Sequence, residues 1–355
     1  MDQRIREHAR ILADWSTSIQ KDDNVLIRAH PKAHELVVAL YKEIGARGAN
    51  PATLYTSNEA SRSYLMHHKD EMKTPEHLYA LFEKSDVLIA IHADDNLTAL
   101  GDVPGERLSA MSKANKPIME LLSDKRTSIT LFPTDSAAQL AGMSLEAYQD
   151  FVWGAIIRDW QEVHDMQEIL RERLADTDEV HITGPETDIT LKIGGMTPIN
   201  SDGKNNLPSG EVYVAPHPES TEGTILFDMP MIIRGREING VKLEFSRGEV
   251  VDFSAQNNED LLESLLNTDA GARRLGELGI GTNRQIDRFT RNILFDEKMG
   301  DTIHLALGYA IPRSVGEGKK GNESAIHMDL IKKMKHGCMS LDGEMVMENG
   351  KFVWE

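Results

Sequence analysis

The chain has 355 residues, 40% of them hydrophobic, and carries 39 Lys and Arg against 57 Asp and Glu, a formal charge of −18 at neutral pH. This length suggests two domains, the apolar content speaks against a disordered or fibrous chain, and the acidic balance speaks against nucleic acid or an anionic membrane as the main partner. The single cysteine, Cys338, permits no intrachain disulfide and no thiolate metal cluster, and no apolar run reaches the ~18 residues of a membrane span.

The opening stretch "MDQRIREHARILADW" has charges throughout and no apolar core like that of a signal peptide, so a soluble cytoplasmic protein is expected. Strand and helix signals then alternate. "NVLIRAH" reads as a buried strand, "AHELVVALYKEIGARG" as a helix ending near Gly45 to Gly48, and "PATLYTS" as a second strand. "MHHKDE", around His67 and His68, reads as a charged helix end. "TPEHLYALFEKS" offers Thr74 as an N-cap and Pro75 at the first helical position. "DVLIAIHA" is a third strand, followed by a helix around "RLSAMSKA" and the strand "SITLFPT". Repeated β-α units with continuous apolar strands imply a parallel sheet covered by helices. The turn after the first strand, "AHPKAHE", has no glycine, and no Walker-type Gly-Lys-Ser/Thr is present, so a Rossmann-like shape is expected without a nucleotide.

From Ser144 to about Leu174 the pattern predicts one long helix, which carries Trp153 and Trp160 at packing positions. After "ADTDEV" the texture turns to short β-rich segments with Gly or Asn turns, among them "HITGPETDITLKIGG", "GTILFD" and "VKLEFSRGEVVDFSA". One predicted helix, "NEDLLESLLNTDAGARRLGEL", interrupts them. The composition shift predicts domains at 1–176 and 177–355.

Four segments of the second half place an oxygen or nitrogen ligand beside apolar or glycine-rich structure. In "LPSGEVYVAP" a Pro-Ser-Gly turn delivers Glu211 to the head of a strand, with Tyr213 on its face and Val212 and Val214 opposite. In "LGELGIGTN" Glu277 falls at or near the end of the predicted helix, where a negative charge opposes the dipole, and Gly276, Gly279 and Gly281 crowd around it. In "TIHLALG" Ile303, Leu305 and Leu307 share one strand face, and Thr302, His304 and Ala306 the other. In "NESAIHMDL" Ile326, Met328 and Leu330 share the buried face, while His327 and Asp329 stand together on the opposite one. Each segment alone has a bland reading as solvated strand or satisfied histidine. Together they supply Glu211, Glu277, His304, His327 and Asp329, an imidazole and carboxylate set that suits Zn²⁺, Co²⁺ or Mn²⁺. Five such ligands suffice for two metal ions sharing a bridging carboxylate.

In their order, "LPSGEVYVAP", "LGELGIGTN", "FDEKMGDTIHLALG" and "NESAIHMDL" resemble the M29 metallopeptidases, the thermophilic aminopeptidase T group, over most of the chain. The resemblance implies an α+β catalytic domain that binds two divalent metal ions, behind an α/β first domain, and a homodimer enclosing the active sites. It implies Glu211, Glu277, His304, His327 and Asp329 as ligands, with Glu297 the best match for a further acidic residue used before the first metal histidine. Family members tend to have a tyrosine directly before the proline that follows "HLALG". This chain has Ile311 before Pro312, and its nearest tyrosine is Tyr309, the candidate for positioning water or stabilising an oxyanion.

The expected function is a metal-dependent aminopeptidase that removes N-terminal residues from short peptides, with Glu277 or Glu297 as proton carrier. A dinuclear phosphoesterase or amidohydrolase is the rival on the same ligands, although Arg234, Arg236, Arg273 and Arg274 read most simply as surface charges. A non-catalytic small-molecule binder is the third reading, resting on His92, Asp94 and Asp95 at the carboxyl end of a predicted strand.

Overall fold

The computed structural model describes residues 1–233 and 236–355, apart from the side chain of Ser123. Arg234 thus lies outside the described residues. The chain divides into two compact units, one of Met1–Arg158 with Gly203–Pro208, the other of Asp159–Asp202 with Ser209–Glu355. The helix Trp160–Ala175 goes with the second unit, ahead of the composition shift at residue 176.

In the first unit a parallel sheet runs in the order Asn50–Tyr55, Asn24–Ala29, Val87–His92, Arg126–Leu131, Asn206–Leu207. Its central strands are apolar on both faces: Val25, Leu26 and Ile27, like Val87, Leu88 and Ile89, are buried. That double burial is what a sheet covered by crossover helices requires. The helices include His34–Ala46, Asn58–His67, Glu76–Glu83 and Gly105–Leu121. Helix Glu76–Glu83 begins one residue later than expected. Pro75 is its N-cap, and the Thr74 hydroxyl donates instead to the Ala114 carbonyl. The helix Gly105–Leu121 tolerates Pro117 in its interior.

The single long helix expected between Ser144 and Leu174 is two helices, Leu145–Ile156 and Trp160–Ala175. Ile157 leaves helical geometry, and the Asp159 carboxylate accepts from the amides of Gln161 and Glu162, so a new N-terminus forms there. Trp153 and Trp160, both buried, therefore lie on different helices.

The second unit is built on antiparallel sheets, as its short β-rich segments imply. An eight-stranded sheet contains the hairpins Glu179–Gly184 with Thr187–Lys192 and Val241–Ser246 with Glu249–Ser254. A five-stranded sheet runs in the order His327–Lys333, Thr302–Gly308, Leu275–Gly281, Glu211–Val214, Ile199–Ser201. One core unites them: Val180, Ile182, Ile189 and Leu191 from the larger sheet, with Val212, Val214, Leu278, Ile280, Ile303, Leu305, Met328 and Leu330 from the smaller. Alternation along these strands leaves the opposite face of the five-stranded sheet for other work.

The helix expected from Asn258 to Leu278 is the largest correction. It spans only Glu259–Leu266, and Leu275–Gly281 is a strand buried at every residue in the middle of the five-stranded sheet. Three glycines in seven residues weaken a helix strongly, and a chain reversal around Asp269 ends it, with the Asp269 carboxylate accepting from the amides of Gly271 and Ala325. Glu277 thus opposes no helix dipole. Of the arginines read as surface charges, Arg273 and Arg274 are only half-exposed and donate to the backbone carbonyls of Val250 and of Pro218 and Arg247.

Candidate metal centre

The strand register lays out the free face of the five-stranded sheet. One row across the strands reads Asp329, Ala306, Glu277. The next reads Ile331, His304, Gly279, Tyr213, Ile199. Glu211 lies opposite Gly281 in the row beyond. Paired residues share a face, so Glu277, His304, Glu211, Asp329 and Tyr213 point to one side although they come from four strands. The small residues Ala306, Gly279 and Gly281 separate them. A Cβ at position 279 would overlap the His304 imidazole; glycine there is what lets the ring lie across the central strand.

Glu211, Glu277 and His304 bring one donor atom each to within 4.8 Å of one another, and so do Glu277, His327 and Asp329. The two groups meet at Glu277. His304 Nε2 lies 3.2 Å from Glu277 Oε1 and 3.5 Å from Glu211 Oε2, and His327 Nε2 lies 3.4 Å from Asp329 Oδ1. The His327 ring is held from behind: the Tyr309 carbonyl lies 2.7 Å from Nδ1 and only accepts, so Nδ1 carries the hydrogen and Nε2 faces the carboxylates. Tyr309 meets this histidine through its backbone, and its side chain is 40% exposed. Ile311 precedes the turn Pro312–Ser314, where the Ser314 hydroxyl donates to its carbonyl.

Glu297 follows the short helix Ile293–Asp296 and belongs to neither three-residue group. It pairs with Lys298, whose ammonium is fully buried and stands 3.5 Å from Glu211 Oε1. The loop behind them is fixed by Asp296, which accepts from the amide and hydroxyl of Thr290 at 2.7 and 2.8 Å.

Burial raises the Glu277 carboxyl above its ordinary range, against the hydrogen bond from His304. Burial likewise lifts Glu297 to about 7, against the charge of Lys298. Burial works against the charged form of both histidines, yet the carboxylates prevail: the Glu277 hydrogen bond and the Glu211 charge hold His304 up to about 10, and Asp329 holds His327 up to about 9. For Asp329 burial is outweighed by His327 and His304, and its carboxyl stays below the usual range.

Metal ions fit this donor set. Glu211 Oε2, Glu277 Oε2 and Asp329 Oδ1 are buried without a hydrogen-bond partner. Interiors rarely leave such atoms unpaired, and carboxylate oxygens gathered on one buried face without hydrogen-bond donors are costly unless cations join them. Oxygen and imidazole donors with no thiolate match Zn²⁺, Co²⁺ or Mn²⁺.

The sequence reading missed two members of this neighbourhood. Lys298 carried a signal in retrospect, a lysine directly between the carboxylate Glu297 and the buried Met299. Gln167 carried none: its amide, from the helix Trp160–Ala175, donates 2.6 Å to the Glu211 carbonyl and holds that strand in place.

Comparison with known proteins follows the same line. A family model described as thermophilic metalloprotease (M29) matches residues 1–352. Aminopeptidase 2 of Geobacillus stearothermophilus is 27% identical over an alignment of 404 positions, covering 99% of this chain and 95% of that one. Aminopeptidase T of Thermus thermophilus is 28% identical, covering 94% and 92%. Among solved structures, wild-type AmpT from Thermus thermophilus matches with a TM-score of 0.87 at 25% identity over 99% of each chain. A 2,5-dihydroxypyridine dioxygenase from Pseudomonas putida KT2440 matches with a TM-score of 0.63 over 99% and 97%; at 14% identity that likeness concerns the fold alone.

Proposed function

We propose an activity for this chain from its family, for it belongs to the thermophilic metalloproteases of family M29: it is an aminopeptidase that removes N-terminal residues from short peptides at a dinuclear metal centre. The observation that carries this reading is the meeting of two three-residue donor groups at Glu277. Glu211, Glu277 and His304 would hold one ion, and Glu277, His327 and Asp329 the other, with Glu277 between them. Glu297 is proposed as a further acidic member of the site. Zn²⁺, Co²⁺ or Mn²⁺, when bound, supplies Lewis acidity that polarises a peptide carbonyl and acidifies water.

The residues of the chain do the rest. Glu297, beside Lys298 and the Glu211 end of the donor set, would take a proton from the attacking water and return it to the leaving amine. Lys298 keeps Glu297 and Glu211 in place through its buried ammonium. Tyr309 contributes by orienting His327 through its carbonyl, the kind of support that usually fixes a metal-binding ring. The M29 family match and the relatives named aminopeptidases favour cleavage at the N-terminal end. A homodimer in the cytoplasm completes the reading. Among the described residues, no helix is long and apolar enough to cross a membrane.

The test is hydrolysis of leucyl-anilides and unblocked dipeptides by the purified protein with added Co²⁺, Zn²⁺ or Mn²⁺. Cleavage that stops on chelation, and that spares N-acetylated peptides, is expected. A protein that cleaves no unblocked peptide with any of the three ions contradicts the proposal.

A further inference from the structure

Tyr213 lies on the site's face, and the proposed mechanism leaves its chemistry unused. It is 2% exposed, two residues from Glu211 on the same strand, and its partner across the sheet is Gly279. Gly279 is paired on its other side with His304. The phenol and the imidazole start two strand spacings, or ~10 Å, apart at the backbone, and the His304 ring reaches back over Gly279 between them, on the face that also carries Glu277.

A buried phenol needs a hydrogen-bond partner, and Tyr213 has one: Arg313 Nε, from the turn Pro312–Ser314, donates to its oxygen, with the guanidinium carbon 5.5 Å from the ring centroid. The direction of that bond matters. An arginine can only donate, so it occupies a lone pair of the phenol oxygen and leaves the O–H hydrogen to point elsewhere. Drawing electron density from the oxygen also makes the hydroxyl a stronger donor. Donors fixed in advance where charge develops supply much of the rate enhancement in acyl transfer.

We propose that Tyr213 is the oxyanion donor of this site and that Arg313 is its positioning residue. The proposal rests on the aminopeptidase reading and deepens it. In the step concerned, a water oxygen bonds to the scissile carbonyl carbon, and the carbonyl π pair moves onto its oxygen. The water proton passes to Glu297. Tyr213 keeps its own proton and donates a hydrogen bond to the developing oxyanion. The pair on oxygen then re-forms the carbonyl, the C–N bond breaks, and the nitrogen leaves as an amine with the proton from Glu297.

Tyr213→Phe removes one hydroxyl and keeps the ring. With leucyl-anilide as substrate, kcat should fall about 100-fold or more with KM within about threefold. Calorimetry gives a second readout: a phosphinate dipeptide, which mimics the tetrahedral carbon, should bind more weakly by a similar factor, while free leucine and the metal content stay as in the wild type. Arg313→Gln, on an exposed turn, should give a smaller loss of the same pattern and covers the case in which the Phe variant folds poorly. Wild-type kcat in Tyr213→Phe overturns the inference. So does equal weakening of phosphinate and leucine, or loss of metal, which would mark a structural role, and so does a kcat loss found in Tyr309→Phe and not in Tyr213→Phe. A wild-type protein that cleaves no peptide fails the aminopeptidase reading and takes this inference with it, whereas an active wild type matched by the Phe variant fails the inference alone.

Discussion

Glu277 is the residue on which the two donor groups depend, and its surroundings explain how one carboxylate serves both. It sits at the centre of the sheet, with Ala306 and then Asp329 on one side in its own row and His304 diagonally across Gly279. Gly279→Ala tests this arrangement with a single methyl group. The Cβ would overlap the His304 ring, so the ring must swing away. We expect metal affinity to drop about 10–100-fold, as when support for a ligand is removed; calorimetric titration with Zn²⁺ reads it, and unchanged affinity contradicts the geometry. A residue of the first unit tests electrostatics. His8 is fully buried, and burial pushes its imidazole down to about 3. The Thr130 hydroxyl donates to the Leu207 carbonyl at 2.6 Å and receives the His8 Nε2 hydrogen at 2.8 Å, while the buried Nδ1 has no partner to receive a second hydrogen. The unfolded chain takes up this proton near 6.5 and the folded chain near 3. Stability from His8 is therefore complete above pH 6.5 and is lost as pH falls towards 3, by at most ~1.4 kcal/mol per unit. Thermal melts of wild type and His8→Gln should converge or cross on acidification from pH 7 to 4.5, in favour of the variant. A difference in Tm that ignores pH contradicts the account.

At the scale of elements, strand alternation made most of the site legible. Reading Ile303, Leu305 and Leu307 against His304, or Met328 and Leu330 against His327 and Asp329, places each side chain on the face it occupies. Such a period is local and survives in a single sequence. Strand order is not local: nothing in "LGELGIGTN" says that it lies between the strands of Glu211 and His304. Its glycines signal a helix stop equally well, and they exist for a tertiary reason, the room taken by the His304 ring and by neighbouring carbonyls. The hydroxyl of Tyr213 and its arginine were hidden for the same reason, being 100 positions apart in the chain. The break at Ile157 to Asp159 was written locally, in a capping aspartate, but apolar periodicity on both sides masked it. Asp159→Ala should weaken the helix Trp160–Ala175 by about 1 kcal/mol, read as a Tm lower by about 1–3 °C. An unchanged melt would mean that the cap does not set this helix start.

For the whole molecule, the acidic excess and the metal centre belong together only in part. Few of the charged residues behind the −18 are buried, whereas Glu211 and Glu277 are, and the proposed cations would offset their charge. Ligands that bind only the folded chain raise stability in proportion to the logarithm of their concentration over Kd. Chelation should therefore lower the Tm by several degrees, and Zn²⁺ should restore it; a melt indifferent to chelator would separate the centre from stability. The central claim, that two ions share Glu277, is met most directly by counting. Elemental analysis by plasma mass spectrometry, after saturation with Zn²⁺ and removal of the free ion, should find about two ions per chain in the wild type and the loss of both in Glu277→Ala. A wild type that retains no ion, or a variant that keeps the full complement, contradicts the account.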